Sequence, residues 1–121
     1  MVTKSETGKL GEDLASRYLE SRGYKVIDRN WRKQFGELDI ICLDKNKTLV
    51  FIEVKTVNDN TMISAESQVT NSKLTKLRKT SLFYANNLMV KNSKIIGWQI
   101  DLLAITISNG RAKIKHYKNI G

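Results

Sequence analysis

The 121-residue chain is predicted to adopt an α/β fold in which a mixed central sheet is flanked by helices. Its apolar periodicity gives the element order αβββαββ, with the second helix between the third and fourth strands. The short polar linker 44–47 joins two strand-like segments and predicts an antiparallel hairpin. The link through the second helix predicts a helical crossover, and residues 1–121 are expected to form a single domain.

The helices and strands are predicted from apolar periodicity and from the residues that end each segment. The expected elements are a helix over about 6–22, a strand over 24–31, a turn at 32–34, strands over 37–43 and 48–56, a loop over 58–68, a helix from Thr70 or Ser72 to Asn87 or Leu88, and strands over 95–107 and 112–117. Gly23 ends the first helix, where a left-handed backbone costs glycine little. Gly97 marks either the true start of the fourth strand or a bulge in it. The turn 108–110 precedes the last strand.

Acidic residues and a lysine occupy the hairpin where strands normally carry Thr, Val or Tyr. Because strand side chains alternate between faces, Glu53 and Lys55 are expected on one face. The other strand is expected to place Glu37, Asp39 and Ile41 on one face and Leu38, Ile40 and Cys42 on the opposite one. A three-residue loop that pairs residues 44 and 48 would put Asp39 directly opposite Glu53.

Two carboxylates and an ammonium group would then converge on one patch. Carboxylate oxygens are the hard ligands that Mg²⁺ or Mn²⁺ prefers, and Lys55 could orient or deprotonate a bound water. The alternative is an ordinary wet face with solvated charges. The apolar neighbours of Asp39 and Glu53 favour the metal site, because like charges opposite each other destabilise a sheet and a cation removes that repulsion.

The charge balance indicates a polyanionic partner. Lys and Arg number 21 against 12 Asp and Glu, which gives a net charge of +9. Nucleic acid is the commonest such partner, and an anionic membrane surface is the alternative. The N-terminus has no apolar signal segment and no stretch is long enough to span a membrane, so a soluble intracellular protein is expected. Nucleic acid, and not a membrane, is the predicted partner. The single cysteine excludes an intramolecular disulfide framework.

Three separated motifs carry a resemblance to a known group. A leading helix bearing Glu12, then Gly36-Glu37-Leu38-Asp39, then Glu53-Val54-Lys55-Thr56 after a gap of thirteen residues, resembles the PD-(D/E)xK nuclease signature. Within that superfamily the chain is most similar to the YraN-type, Holliday-junction-resolvase-like family of small bacterial proteins. The resemblance extends through 69–73 and 99–105 and so covers nearly the whole chain. Leu38 stands where the motif name has proline.

The resemblance implies a restriction-endonuclease-like core and Mg²⁺- or Mn²⁺-dependent cleavage of DNA phosphodiester bonds, with branched structures among the substrates. It implies that Asp39 and Glu53 are metal ligands, that the carbonyl of Val54 adds an oxygen, and that Lys55 orients the attacking water. Glu12 matches a helix-borne acid that reaches toward the metal or its water. On helix geometry alone it lies at the flank of the apolar face, which is equally compatible with plain solvent exposure. A non-catalytic nucleic-acid-binding protein with the same fold is the alternative, and a scaffold for a ribonucleoprotein would explain only the charge. Two choices stay open: whether the substrate is DNA or RNA, and whether the protein acts as a homodimer or a monomer.

Several further residues have two interpretations each. Lys73 and Lys76 at the start of the second helix, and Arg32 and Lys33 before the hairpin, either contact phosphates or are merely solvated. The aromatic residues that either stack on splayed bases or fill the core are Trp31, Phe35 and Trp98. Asp101 is expected to support Lys55 or a backbone group, and a catalytic role is not expected for His116.

Overall fold

Five strands and two helices make up the fold of the computed structural model, which describes residues 3–58 and 69–121. The elements are α1 (Lys4–Ser21), β1 (Lys25–Lys33), β2 (Gly36–Leu43), β3 (Thr48–Asn58), α2 (Asn71–Lys91), β4 (Gly97–Ser108) and β5 (Arg111–Tyr117). The expected order αβββαββ is confirmed. The loop expected over 58–68 falls, apart from its first residue, outside the described residues.

The strands form one mixed sheet in the order β1-β2-β3-β4-β5. β3 and β4 run parallel, and the other neighbouring strands run antiparallel. Helix α2 therefore lies in the crossover between the two parallel strands, as predicted. This α/β arrangement is consistent with a restriction-endonuclease-like core.

The sheet is buried on both faces, each beneath one helix. The cluster on the α1 face consists of Ala15, Leu19, Ile40, Cys42, Val50, Ile52, Leu103 and Ile105. The cluster on the α2 face consists of Leu38, Ile41, Leu49, Phe51, Leu77, Ala85, Ile95 and Ile100. Because consecutive residues of β3 supply the two clusters alternately, its middle reads as a continuous apolar run.

Threonine side chains cap both helices. The Thr3 hydroxyl accepts from the Glu6 N–H at 3.1 Å, so α1 begins two residues earlier than predicted. The Thr70 hydroxyl accepts from the Lys73 N–H at 3.2 Å, which identifies the cap among the two candidates for α2. α2 continues to Lys91, past the end at 87 or 88 that the apolar pattern indicated.

The hairpin register is the predicted one. The Asp44 N–H donates to the Thr48 carbonyl at 3.0 Å around the three-residue loop. Ile40 consequently pairs with Ile52, and this is the last pair between β2 and β3.

Two strand boundaries differ from the prediction. β1 continues through Arg32 and Lys33, which pair with Glu37 and Gly36, so the turn lies at 34–35 and not at 32–34. The antiparallel ladder with β2 extends the strand beyond its apolar part. The fourth strand starts at Gly97, one of its two expected roles, and residue 95 is instead buried against the α2 face.

The alternation of side chains in β2 is interrupted at Asp39. Ile40 and Cys42 pack on the α1 face, but Leu38 packs on the α2 face, so the prediction that the three share a face is wrong. In β1, Asn30 lies opposite this point with a φ of 52°, a left-handed conformation that asparagine tolerates. The irregularity leaves the Asp39 side chain between the two faces of the sheet.

Candidate functional site

Two glycines let the helices approach the sheet closely at the end where the candidate residues lie. A Cβ on Gly11 would run into the Thr56 side chain, so α1 lies directly against β3. A Cβ on Gly36 would run into the Thr80 side chain, so α2 lies equally close to the start of β2. The first contact places α1, and with it Glu12, beside the C-terminal half of β3, and the second holds α2 against the start of β2.

Asp39 occupies the point where β2 and β3 stop pairing. Its Oδ2 accepts from the Val54 N–H at 2.9 Å. In a continued ladder this N–H would pair with the carbonyl of Leu38, so the carboxylate takes the place of a main-chain acceptor. The carbonyl of Val54 points to the same edge of β3 as its N–H, because paired residues of antiparallel strands exchange both bonds. The Asp39 carboxylate and the Val54 carbonyl therefore face the same gap between the strands.

Glu53 is partly buried beside Asp39. The pKa of Glu53 is raised to about 9 by burial, by a hydrogen bond with Asp39 and by the charge of Asp39. The charges of Lys55 and Lys73 oppose this shift. At neutral pH Glu53 therefore keeps its proton in the metal-free protein. A divalent cation in the same place would neutralise the pair without a proton.

Glu12 reaches the same region from α1. Burial and the Asp39 charge hold the pKa of Glu12 above its ordinary value, although a hydrogen bond from Asn30 and the charge of Arg29 act in the opposite direction. Glu12 lines a separate open cleft of about 590 Å³ together with Arg29, Asn30 and Arg32. Asp39 consequently neighbours both Glu12 on one side and Glu53 on the other.

The oxygen donors suit a hard divalent cation. Asp39, Glu53 and the Val54 carbonyl are the oxygen type that Mg²⁺ and Mn²⁺ take, and Mg²⁺ usually keeps several waters beside one or two carboxylates. Within residues 3–58 and 69–121 there is no group of three or more His, Cys, Asp or Glu side chains that could hold a metal ion. The fit therefore rests on a carboxylate pair and a main-chain oxygen.

A basic cleft of about 510 Å³ opens in front of Glu53. Its lining includes all four lysine and arginine residues that the sequence indicated for phosphate contact, together with Lys55; these are Arg32, Lys33, Lys55, Lys73 and Lys76. The ammonium group of Lys55 lies close enough to Lys73 to lower the pKa of Lys73, and the Glu53 charge opposes this shift. The contact between Lys55 and Lys73 was not predicted, because nothing in the sequence relates the end of β3 to the first turn of α2. One residue of the lining, Arg32, also forms an exposed ion pair of 3.3 Å with Glu37.

Asp101 and His116 lie elsewhere. Asp101 is fully buried on the α1 face, so the prediction that it supports Lys55 is wrong, since Lys55 points to the α2 face. The alternative, a backbone group, is confirmed, because the Asn119 N–H donates to Asp101 at 2.9 Å. The His116 Nε2 lies 2.7 Å from the Asp101 carboxylate. Burial opposes ionisation, but hydrogen bonds with His116, the Asn119 N–H and Gln99 hold the pKa of Asp101 below its ordinary value.

Comparison with known proteins relates the chain to one family. A model described as "Uncharacterised protein family UPF0102" matches residues 11–105. A UPF0102 protein of Syntrophomonas wolfei subsp. wolfei is 36% identical over 114 residues, which cover 94% of this chain and 96% of that protein. A UPF0102 protein of Renibacterium salmoninarum is 35% identical over the full length of both chains. One from Sulfurihydrogenibium sp. is 43% identical over 75% of this chain and 80% of its own. No helix in the described part of the chain is long and apolar enough to cross a membrane.

Proposed function

The chain belongs to the UPF0102 family, the YraN-type family that its motifs indicate, and from its site we propose that it is a Mg²⁺- or Mn²⁺-dependent nuclease that cleaves DNA phosphodiester bonds. The observation that carries the proposal is the Asp39–Glu53 carboxylate pair beside the ammonium groups of Lys55 and Lys73. A pure binder of a polyanion gains nothing from two adjacent carboxylates in a basic cleft, because they repel phosphate.

In this proposal Asp39 and Glu53 hold the metal, with the Val54 carbonyl as a further ligand. A divalent cation bound there would lower the pKa of a coordinated water and neutralise charge on the phosphate. The hydrogen bond from the Val54 N–H fixes the Asp39 carboxylate. Glu12 approaches Asp39 from α1, and it would hold a water of the metal's shell.

Lys55 would orient the attacking water and stabilise the charge that develops on the phosphate. It shares its face of β3 with Glu53 and contacts Lys73, so two ammonium groups lie beside the carboxylate pair. The remaining cations of the cleft, Arg32, Lys33 and Lys76, would hold the flanking phosphates. We extend the proposal to branched DNA as a substrate, to the bacterial cytoplasm as the place of action, and to a homodimer as the acting form.

A second candidate function is non-catalytic nucleic-acid binding. It is favoured by the same cleft, because its five cationic side chains can bind phosphates without a metal. The two candidates differ in what Lys55 does. For a nuclease it acts on the transition state, whereas for a binder it is one of 21 basic residues.

Replacement of Lys55 by alanine tests the proposal. Loss of a charge-stabilising group typically lowers the rate by about 10²- to 10³-fold, ~3–4 kcal/mol, with a much smaller effect on ground-state affinity. Lys55→Ala should therefore keep most nucleic-acid binding and lose nearly all metal-dependent cleavage of linear and four-way-junction DNA. Lys79→Ala removes the same charge from an exposed position of α2 and should leave cleavage unchanged.

Asp39→Asn, prepared in the same way, shows whether a contaminating nuclease is present. Cleavage by Lys55→Ala at close to the wild-type rate, in preparations where Asp39→Asn is inactive, would contradict the mechanism. Wild type that binds DNA but never cleaves it with Mg²⁺ or Mn²⁺ would establish the binding function instead.

A further inference from the structure

An aromatic cluster lies where β1 turns into β2 and meets α2. The ring centroids of Phe35 and Phe83 are 5.0 Å apart, and Trp31 lies 6.5 Å from the first and 6.1 Å from the second. Trp31 in turn packs edge-on against Tyr84 at 5.4 Å, and Tyr84 packs on Phe51 in the core. The cluster is therefore anchored from beneath, while Phe35 remains 53% exposed and Phe83 43% exposed.

The cluster borders the candidate site. Phe35 lines the basic cleft in which Glu53 and Lys55 lie. Trp31 and Phe83 line a second cleft of about 410 Å³. Lys33 lines both clefts, with its ammonium 5.8 Å from the Trp31 ring centroid. Phe35 thus stands at the rim between two recesses that both carry lysines.

The structure separates the aromatic residues that the sequence left ambiguous. Trp98 packs on Phe51 at 5.7 Å and belongs to the core of the α2 face. Phe35 has no such role, because more than half of its surface is exposed in the two-residue turn that the pairing of Lys33 with Gly36 closes. A large exposed aromatic pair costs the folded protein solubility and, next to a functional cleft, indicates a contact surface.

Unpaired nucleobases fit this surface best. Every base presents a flat π face on which an aromatic side chain can stack, whatever the nucleotide sequence. Each base is also linked through its sugar to a backbone phosphate. In an intact duplex these faces are covered by neighbouring base pairs, so they are accessible only where bases are unpaired. Cations on both sides of the rim complement the phosphates that join such bases.

We propose that Phe35, supported by Phe83, stacks on an unpaired base whose phosphate lies in the basic cleft, so that the preferred ligand is nucleic acid with unpaired bases beside the phosphate held near Glu53. The inference rests on the nucleic-acid-binding part of the proposed function. It needs neither bound metal nor cleavage.

Measurements of nucleic-acid binding without metal test the proposed stacking of Phe35. Affinities are measured by fluorescence anisotropy in EDTA for a labelled blunt duplex and for the same duplex with a single-stranded extension. Wild type should prefer the extended ligand. Since stacking on one base typically accounts for ~1–3 kcal/mol, Phe35→Ala should weaken binding of the extended ligand about fivefold or more and leave duplex binding within about twofold. Phe35→Trp should retain the preference.

Two controls separate stacking from other losses. Ile96→Ala removes an apolar side chain that is 72% exposed and lines none of the clefts described above, and it should change neither affinity. Lys76→Ala should weaken both ligands alike and reduce the salt dependence, because it removes a phosphate contact and no base contact. Phe35→Leu, which keeps an apolar side chain without a ring, should behave like Phe35→Ala while its circular dichroism and melting temperature stay at the wild-type values.

The proposal is overturned if Phe35→Ala, folded by these measures, binds both ligands as wild type does. It is equally overturned if light scattering shows that Phe35→Ala dissociates a dimer while the ligand preference is unchanged, since the cluster would then join two copies of the chain. If no protein, wild type included, cleaves DNA but wild type still prefers the extended ligand, the nuclease proposal is rejected and this inference stands.

Discussion

Replacing Glu53 with glutamine should stabilise the metal-free protein at neutral pH. Glutamine is similar in size and its amide can donate the hydrogen bond to Asp39 that protonated Glu53 provides. Glu53 has a pKa of about 9 in the folded chain against an ordinary value of 4.5, because burial and Asp39 disfavour its charge. The folded state therefore binds this proton more tightly than the unfolded state.

The sign of the effect follows from this difference. Well below pH 4.5 the carboxyl group is protonated in both states and no proton is exchanged on unfolding. Above it the unfolded chain ionises while the folded chain keeps its proton, so the free energy of unfolding falls as the pH rises toward 9. The fall is at most ~1.4 kcal/mol per pH unit, which makes a loss of ~1–3 kcal/mol between pH 5 and pH 7.

Urea denaturation in EDTA at pH 5 and pH 7 measures the free energies of unfolding of wild type and Glu53→Gln. Glu53→Gln should lie within ~1 kcal/mol of wild type at pH 5, and its advantage in the free energy of unfolding should grow by ~1–3 kcal/mol between pH 5 and pH 7. Added Mn²⁺ should narrow or reverse the difference, since only wild type keeps both carboxylate ligands. Glu37→Gln changes an exposed carboxylate on the neighbouring strand and should show little difference at either pH. A Glu53→Gln protein that is less stable than wild type at pH 7, or a difference that does not vary with pH, would refute the assignment of a buried repulsive pair.

Three further outcomes are expected. Calorimetry with Mn²⁺ should give binding to wild type and at least tenfold weaker binding to Asp39→Asn, because one of two carboxylate ligands is lost. The plot of log K for duplex DNA against log salt should flatten by roughly one to two units when Lys73 and Lys76 are both replaced by alanine. His116→Ala should lower the free energy of unfolding by ~2–4 kcal/mol, because it leaves the buried Asp101 carboxylate without its imidazole partner.

Each of these outcomes has its own control. Equal Mn²⁺ binding by Asp39→Asn would remove this residue from the site. An unchanged salt slope would mean that Lys73 and Lys76 are merely solvated. The control at equal charge is the double replacement of Lys79 and Lys115, which line none of the clefts described above. For His116, a loss of the same size in an Asp101→Asn background would show that the buried charge is not the cause.

The sequence alone determined the features that a few neighbouring residues encode. Side-chain alternation predicted that Glu53 and Lys55 share a face, and they line one cleft. The polar linker between the hairpin strands determined their register through the pairing of Asp44 with Thr48. Threonine caps, terminal glycines and apolar periodicity placed the elements to within a few residues, since these signals act over one turn or one strand.

The tertiary structure decided what depends on contacts between distant segments. The crossover between β3 and β4 brings the first turn of α2 to the end of β3, where Lys73 meets Lys55. Packing, and not the strand period, decided that Leu38 turns to the α2 face and leaves Asp39 between the two faces. In the same way Asp101 found its partners on β5 and beyond it rather than at the cleft. Periodicity states which side of a strand a residue occupies, but only the packing of helices on the sheet decides which charged groups meet there and how far burial shifts their pKa values.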